Sequence, residues 1–330
     1  MQGSHSSVRR RSLLACGVAA LAAPFSLNAL AADAYPAKGL RFVVPFPPGS
    51  GTDTAARLFA KAVGDIAGHP VIVENKPGGN GFIGVQSVLA APADGYTVLL
   101  GGNSVLSTNA ATFKKLPYDP IADFSMVSLL LDAPVLVVVP PNSPYKTFAE
   151  LVADAKKRPG ALSYGTGSAA YTLYAEWLNQ IAQIKSMPIN YKGSGDVVTA
   201  TMSGNVDFSI VDGSTAMSLV KSGKLRALVQ PLPKRSPLLP DVPSAVEAGV
   251  PSFEAVTWVA AAVSSKTTAA VTQRLAELFA KAGESAEIRK YYENQFLTLR
   301  MYGPEEFRKY QRAEIARWKS LVSLVGLEQQ

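Results

Sequence analysis

The sequence predicts an α/β protein built as two domains, each a largely parallel sheet covered by helices. Three observations carry that expectation. Short runs rich in Val, Leu and Ile alternate with stretches of 3.6-residue periodicity over almost the whole length. Helix caps stand where the periodic stretches begin. The strand candidates number nine, more than one doubly wound sheet needs, so two domains are favoured. With 330 residues, 48% of them hydrophobic and 17% charged, the chain has enough apolar material for such cores, and disorder, collagen and coiled coil are excluded.

The first element is a targeting segment. Arg9, Arg10 and Arg11 precede an apolar run at residues 13–23, and Ala29-Leu30-Ala31 offers small residues for cleavage after Ala31. The run is too short for a bilayer, which takes about 20 residues. Arg10-Arg11-Ser12-Leu13-Leu14 resembles a twin-arginine signal, but ordinary secretory signals also carry Arg pairs, so the route stays open. Cys16 lies before most of the apolar run, which argues against lipid attachment. It is the one cysteine of the sequence, so the mature chain would rely on packing rather than disulfides.

Strands are then expected at residues 41–46, 71–74, 97–101, 135–140, 162–165, 189–191, 206–212, 225–230 and 256–263. Between them, Ala55, Leu58, Phe59, Ala62, Val63 and Ile66 form one helical stripe, and Tyr171, Tyr174, Trp177, Leu178 and Ile181 another. Ser50-Gly51-Thr52-Asp53 and Thr147-Phe148-Ala149-Glu150 fit the capping box, in which a hydroxyl and a carboxylate satisfy first-turn amides. Lys156, Lys157 and Arg158, followed by Pro159-Gly160, close the second of these helices with basic charge and a stop. Residues 231–243 carry too many prolines for a helix and read as an ordered surface excursion. From about Thr267 the pattern is helical, including residues 304–325, with charged faces turned to solvent.

Ligands of open α/β sheets sit beyond the carboxyl ends of the strands. Five of those ends share one chemistry. They are Pro47-Pro48-Gly49-Ser50-Gly51-Thr52-Asp53, Gly102-Asn103-Ser104, Thr166-Gly167-Ser168, Lys192-Gly193-Ser194-Gly195 and Gly213-Ser214-Thr215. Glycine lets backbone approach a ligand, and a loop that opens a helix offers free amides with partial positive charge, suited to carboxylate or phosphate. A single such loop is ordinary turn chemistry; five together point to binding.

Sharper motifs fail. Gly49-Ser50-Gly51-Thr52 lacks the Gly-Lys ending of a P-loop, and no Rossmann glycine pattern or Gly-x-Ser-x-Gly elbow occurs. The two histidines are His5 and His69, and His69 enters a strand at the wrong end for a site. No His or Cys cluster suits a metal, and no cofactor is expected. The balance of 32 Lys+Arg against 25 Asp+Glu becomes 29 against 25 without Arg9, Arg10 and Arg11, which argues against nucleic acid as a partner. Asp53 reads mainly as a cap. Asp212 either accepts from a ligand amine or hydroxyl or caps the next helix, and Lys192 either pairs with a ligand or lies on the surface.

The same loops resemble the Bug family of periplasmic solute receptors, the extracytoplasmic part of tripartite tricarboxylate transporters. The resemblance rests on residues 45–53 with Ala56-Arg57, Val73-Glu74-Asn75-Lys76-Pro77-Gly78-Gly79 with Gly81 and Gly84, and Asp94-Gly95-Tyr96-Thr97. It extends through Leu116-Pro117-Tyr118-Asp119-Pro120 with Asp123-Phe124, Tyr191-Lys192-Gly193-Ser194-Gly195, residues 223–228, and Leu239-Pro240-Asp241-Val242-Pro243 with Glu247-Ala248-Gly249. Coverage runs from about Tyr35 to the end.

The resemblance implies a type II periplasmic-binding fold: two α/β lobes joined by two crossing strands, near residues 130–138 and 256–263, as in a Venus flytrap. Residues 1–31 would be removed, 32–133 with 257–330 would form one lobe, and 134–256 the other. It also implies a monomeric, non-enzymatic receptor in the periplasm that holds a small carboxylate and passes it to transporter membrane subunits. A sensor kinase as partner, or less readily an exported enzyme using Asp212 or Lys192, are the alternatives. The carboxylate would lie against Phe46, Pro48, Gly49, Ser50, Gly51, Thr52 and Asp53 on one side and residues 164–168, including Thr166, Gly167 and Ser168, on the other. Asn103, Ser104, Tyr171, Lys192 and Asp212 complete the candidate set. One departure matters: the second loop is about two residues shorter than the family's usual form, and Thr172 stands where a His follows there, so Tyr171 and Tyr174 are expected to reshape the far end of the pocket.

Overall fold

The computed structural model describes residues 35–329. The targeting segment, with Arg9, Arg10, Arg11, Cys16 and the cleavage point after Ala31, lies outside the described residues. The first strands and helices follow in the order β1 (Leu40–Val44), α1 (Gly51–Ala67), β2 (Val71–Asn75), α2 (Phe82–Leu89) and β3 (Thr97–Gly102). A π-helical turn (Ser104–Thr108) and the short α3 (Asn109–Thr112) lead to the long β4 (Phe124–Val139). After α4 (Phe148–Lys157) come β5 (Leu162–Thr166), α5 (Ala169–Ala182), β6 (Ser186–Asn190), α6 (Ser194–Met202), β7 (Phe208–Asp212), α7 (Gly213–Lys221) and β8 (Arg226–Val229). The chain finishes with β9 (Val256–Ser264), α8 (Ala269–Gly283), α9 (Ala286–Glu293), β10 (Thr298–Tyr302) and α10 (Pro304–Val325).

The strands run in the order β2-β1-β3-β9-β4-β7-β5-β6, with β8 and β10 also on β4. Two parallel groups, β2-β1-β3 and β7-β5-β6, are thus joined through the antiparallel strands β9 and β4. The inner strands β1, β3, β5 and β7 are short and largely buried, as strands covered on both faces are, while the outer strands β2 and β6 are largely half-exposed or exposed. Strand β4 is buried except for the half-exposed Ser125. It pairs with β9 from Phe124 to Pro134, then with β7 from Val135. Pro134, which brings no amide to a ladder, stands at that change of partner. The registers Ala133↔Thr257 and Val135↔Asp212 set the start of β9 and the end of β7 side by side on β4. That placement builds the floor of the site.

Among the described residues, buried apolar clusters hold the two halves. One gathers Val43, Leu99, Phe124, Leu129, Trp258 and Phe307. A second centres on Val137, Tyr164, Tyr174, Trp177 and Phe253, and the third on Leu136, Val138, Val211, Met217 and Phe296. Helix α10 serves both halves. Its Gln311 donates to the carbonyls of Leu106 and Pro120 at 2.8 and 2.9 Å, while Trp318 packs on Tyr174 with ring centroids 5.0 Å apart. No helix of the described residues is long and apolar enough to cross a membrane.

Several expectations are corrected. The strand expected at 135–140 is the second half of β4, and its first half went unread because Ser125, Ser128 and Asp132 interrupt the apolar pattern. Strand β10 was read as helical; it lies on β4 with half-exposed or exposed residues and carries a register shift between Leu299 and Tyr302. The strand at 189–191 is Ser186–Asn190. Ile66 is 36% exposed, since the last turn of α1 leaves the core. Residues 231–243 are not only a surface excursion: Leu239 and Val242 enter the third cluster, and buried Gln230 donates to both of their carbonyls, at 3.1 and 2.5 Å. The capping box of α4 is present in full, Thr147 and Glu150 satisfying each other's amides.

Candidate functional site

The loop from β1 to α1 is set by local bonds. Ser50 takes the N-cap position and its Oγ accepts from the Asp53 amide at 3.2 Å. Asp53 does not return the bond to Ser50, as a full capping box would have it. Its carboxylate accepts instead from the Gly49 amide (2.9 Å), Arg57 Nε (3.1 Å) and Asn75 Nδ2 (2.8 Å), and Asn75 Nδ2 also donates to the Phe46 carbonyl at 3.1 Å. Burial pushes the Asp53 carboxyl up, but the bonds from Arg57, Gly49 and Asn75 outweigh it and hold the group below its ordinary range. Asp53 is therefore a clamp inside the loop. Its neighbours Ser50, Gly51 and Thr52 open α1 toward the cleft.

Across the cleft, three more strands end in loops that start helices. The hydroxyls of Thr166 and Thr172 lie 2.9 Å apart, and each lies 3.2 Å from the Ser168 carbonyl. Thr172 thus stitches the shortened loop to itself. Gly167 lies so close to Gly193 that a Cβ on it would fall 2.7 Å from the Gly193 carbonyl carbon. The Tyr171 hydroxyl donates to Asp212 Oδ1, and Thr257 Oγ1 shares its one proton between the same oxygen at 3.0 Å and the Ala133 carbonyl at 3.1 Å. Burial pushes the Asp212 carboxyl up; the bonds from Tyr171 and Thr257 oppose that without cancelling it. Burial, with the neighbouring carboxylate, also raises the Tyr171 phenol well above its ordinary value.

These loops enclose one narrow cleft with a cavity volume of about 60 Å³. Its walls are Phe46, Pro47, Ser50, Gly51 and Thr52 on one side and Gly167, Ser168, Tyr171, Gly193, Ser194, Asp212 and Ser214 on the other, with Gly102, Asn103 and Ser104 at one end. Leu131, Ala133, Thr257, Trp258 and Val259 of the shared strands make the floor, joined by Leu297. The walls nearly touch. A Cβ on Gly193 would lie 3.3 Å from the Pro47 ring, and Ser104 Oγ is 3.5 Å from Ser168 Oγ.

Residues of the amino ends of α1, α5, α6 and α7 all line this cleft. First-turn amides have no acceptor within their own helix and carry the positive end of its dipole. The buried Asn103 Nδ2 adds a donor with no protein partner. No Lys, Arg or His is among the lining residues. The arrangement suits an anion held by neutral donors, which inside a low-dielectric cleft are stronger than in water.

Of the residues expected from sequence, the structure brings Phe46, Ser50, Gly51, Thr52, Asn103, Ser104, Gly167, Ser168, Tyr171 and Asp212 to the cleft. It does not bring five others. Pro48 and Gly49 lie on the outer bend of the first loop, Asp53 and Thr166 turn to bonds within their own loops, and Lys192 is exposed and outside the lining. Leu131, Ala133, Thr257, Trp258, Val259 and Leu297 were missed, because residues inside strands and after β9 carry no turn signal. The pairing of Val135 with Asp212 is what reveals them.

A model of the "Tripartite tricarboxylate transporter family receptor" matches residues 55–327. The chain is 33% identical to Protein BugT of Bordetella pertussis over 313 residues, 93% of this chain and 94% of that one. Among solved structures, "Structure of a periplasmic transporter" is 30% identical with a TM-score of 0.86, covering 90% of this chain and all of that one. Rpa4515 of R. palustris with adipate is 28% identical with a TM-score of 0.85, over 88% and 98% of the two chains. MatC from Rhodopseudomonas palustris with bound malate is 27% identical at 0.83, over 87% and 100%. The chain belongs to the tripartite tricarboxylate transporter receptor family and has its two-lobe α/β periplasmic-binding fold.

Proposed function

We propose that this receptor captures a small carboxylate in the cleft between its two lobes and hands it, unaltered, to the membrane subunits of a tripartite transporter. The observation that carries the reading is the convergence of four helix amino ends and the unpartnered Asn103 amide on one cleft without a lining cation. The relatives solved with malate and adipate support carboxylate as the class. The lobes would comprise residues 32–133 with 257–330 and residues 134–256, turning about β4 and β9 where β4 changes partner. Work as a periplasmic monomer after removal of residues 1–31 belongs to the same proposal.

A ligand that touches both walls favours the closed arrangement only by its differential affinity for closed over open. The contacts of Pro47 with Gly193 and of Ser104 with Ser168 exist only when the lobes are together, so a bridging ligand adds to them. The closed surface is what a membrane subunit would recognise. Ligand binding raises apparent stability by mass action. A thermal-shift screen of the purified mature chain against mono-, di- and tricarboxylates and amino acids should therefore show a concentration-dependent rise in Tm for at least one acid. Gly51→Val, which fills the cleft mouth at the start of α1, should remove that rise while the unliganded Tm moves little. Absence of any shift across the panel, or a shift that survives Gly51→Val, would count against this site.

A further inference from the structure

Asp212 is a buried acid of which the fold uses one oxygen. It occupies the N-cap position of α7, yet its side chain makes no capping bond. It is 9% exposed and has no ion pair among the described residues. Both of its donors, Tyr171 and Thr257, go to Oδ1. They come from α5 and from β9, and they lock the carboxylate so that Oδ2, which takes no hydrogen bond, is left for the cleft. A Cβ placed on Gly51 would lie 3.6 Å from that oxygen and 3.8 Å from Ser214 Oγ. A lone acceptor with negative charge therefore stands directly opposite the amides that suit an anion.

We propose that Asp212 reads a second group of the ligand: a hydrogen-bond donor, above all an ammonium, carried on the atom next to the carboxylate that the helix amino ends hold. The inference rests on the carboxylate reading of the cleft and narrows it to zwitterions. The proximity of Asp212 Oδ2 to Gly51 sets the spacing, since donor and carboxylate must sit on neighbouring atoms to meet both walls at once. A buried carboxylate satisfied only by two neutral hydroxyls is costly, and a ligand ammonium would supply the missing charge. A hydroxyl would satisfy the free lone pairs without the charge. A second carboxylate at that point would meet like charge.

The test compares matched acids that differ in one group: L-aspartate, L-malate and succinate; L-alanine, L-lactate and propionate; and L-phenylalanine, L-phenyllactate and 3-phenylpropionate. In calorimetric titration of the intact mature chain, the amino acid of at least one set should bind at least tenfold more tightly than the unsubstituted acid, with the hydroxy acid between. Asp212→Asn, which keeps the acceptor for Tyr171 and Thr257, should weaken the amino acid at least tenfold and cut its advantage over the unsubstituted acid by at least as much. The rank order in the unmutated protein stands even if the variant folds poorly. Tighter binding of the unsubstituted acids, or an amino acid affinity indifferent to Asp212→Asn, overturns the proposal and leaves the carboxylate site intact. Binding by no member of any set overturns the proposal together with the reading beneath it.

Discussion

Two strand-to-helix loops face each other across the cleft, and each carries a buried aspartate, yet the two acids live in opposite circumstances. Asp53 has both oxygens engaged by an amide, a side-chain amide and a guanidinium, all within its own half of the molecule. Asp212 has one oxygen held by two hydroxyls and the other turned to empty space between the walls. The first is pulled below the ordinary carboxylate range and the second pushed above it. Residue type and topological position do not decide whether an acid builds a loop or serves a ligand; the partner set does. The glycines beside them differ in the same sense. A Cβ on Gly51 would make only ordinary contact, 3.6 Å from Asp212 Oδ2, while a Cβ on Gly213 would fall 2.3 Å from Phe296 Cδ1 and 2.7 Å from the Pro134 carbonyl.

The contrast can be broken at its structural end first. Asp53→Ala removes the charged acceptor of the exposed Gly49 amide and of the half-buried Asn75 side chain, which keeps its bond to the Phe46 carbonyl, and should cost about 2–3 kcal/mol in urea denaturation, the scale of hydrogen bonds to a charged group discounted for exposure. The Arg57 guanidinium is half exposed and adds little. A loss below about 1 kcal/mol would show that Asp53 is not the clamp described. Next in size, Gly213→Ala forces Phe296 to move and should cost about 1–3 kcal/mol by the same measurement, as overpacking does. Phe296 has little room to yield, being 4% exposed with φ at 55°. An unchanged denaturation midpoint would mean that this wedge is soft.

The smallest effect belongs to Asp212. Asp212→Asn removes a charge the fold does not pair, so at neutral pH it should be neutral or stabilising by up to about 1 kcal/mol. Its pH dependence sharpens the comparison. Because the folded state holds the Asp212 proton more tightly than the unfolded chain, whose ordinary value is 3.8, the favourable contribution is present below that value and is lost as pH rises through the raised folded value. The gap between variant and parent should therefore close as pH falls from 7 toward 4. Asp53 runs the other way: its contribution is present above 3.8 and lost as pH falls through the lowered folded value. A gap for Asp212→Asn that is flat with pH in paired Tm measurements would overturn the contrast.

Much of this was legible in the residues. The inner strands of the parallel groups are short buried runs because both their faces are covered, and the glycine and serine after them are needed both to turn the chain and to let backbone face a ligand, so one pattern marked fold and site together. What escaped is long-range. The first half of β4 is buried by β9, whose paired residues lie 122 to 140 positions further along the chain, and polar Ser128 and Asp132 masked it. Strand β10 carries Arg300, paired with buried Asp132 at 2.5 Å, and reads as an exposed helical face until that partner is seen. The floor residues Thr257 and Trp258 join the site only through registry. For Asp212 the sequence allowed a cap or a ligand contact with equal right; the absence of a capping bond decides against the cap.

Strand β4 has a further consequence, for the order of assembly. Its ladder partners β7, β8, β9 and β10 all follow it in the chain, the earliest beginning at Phe208 and the latest at Thr298. A chain made from its amino end therefore presents sixteen residues of adhesive edge long before anything downstream exists to pair with them. Neither half has its full set of ladder partners on this strand until β10 has been made, so the two halves are completed together.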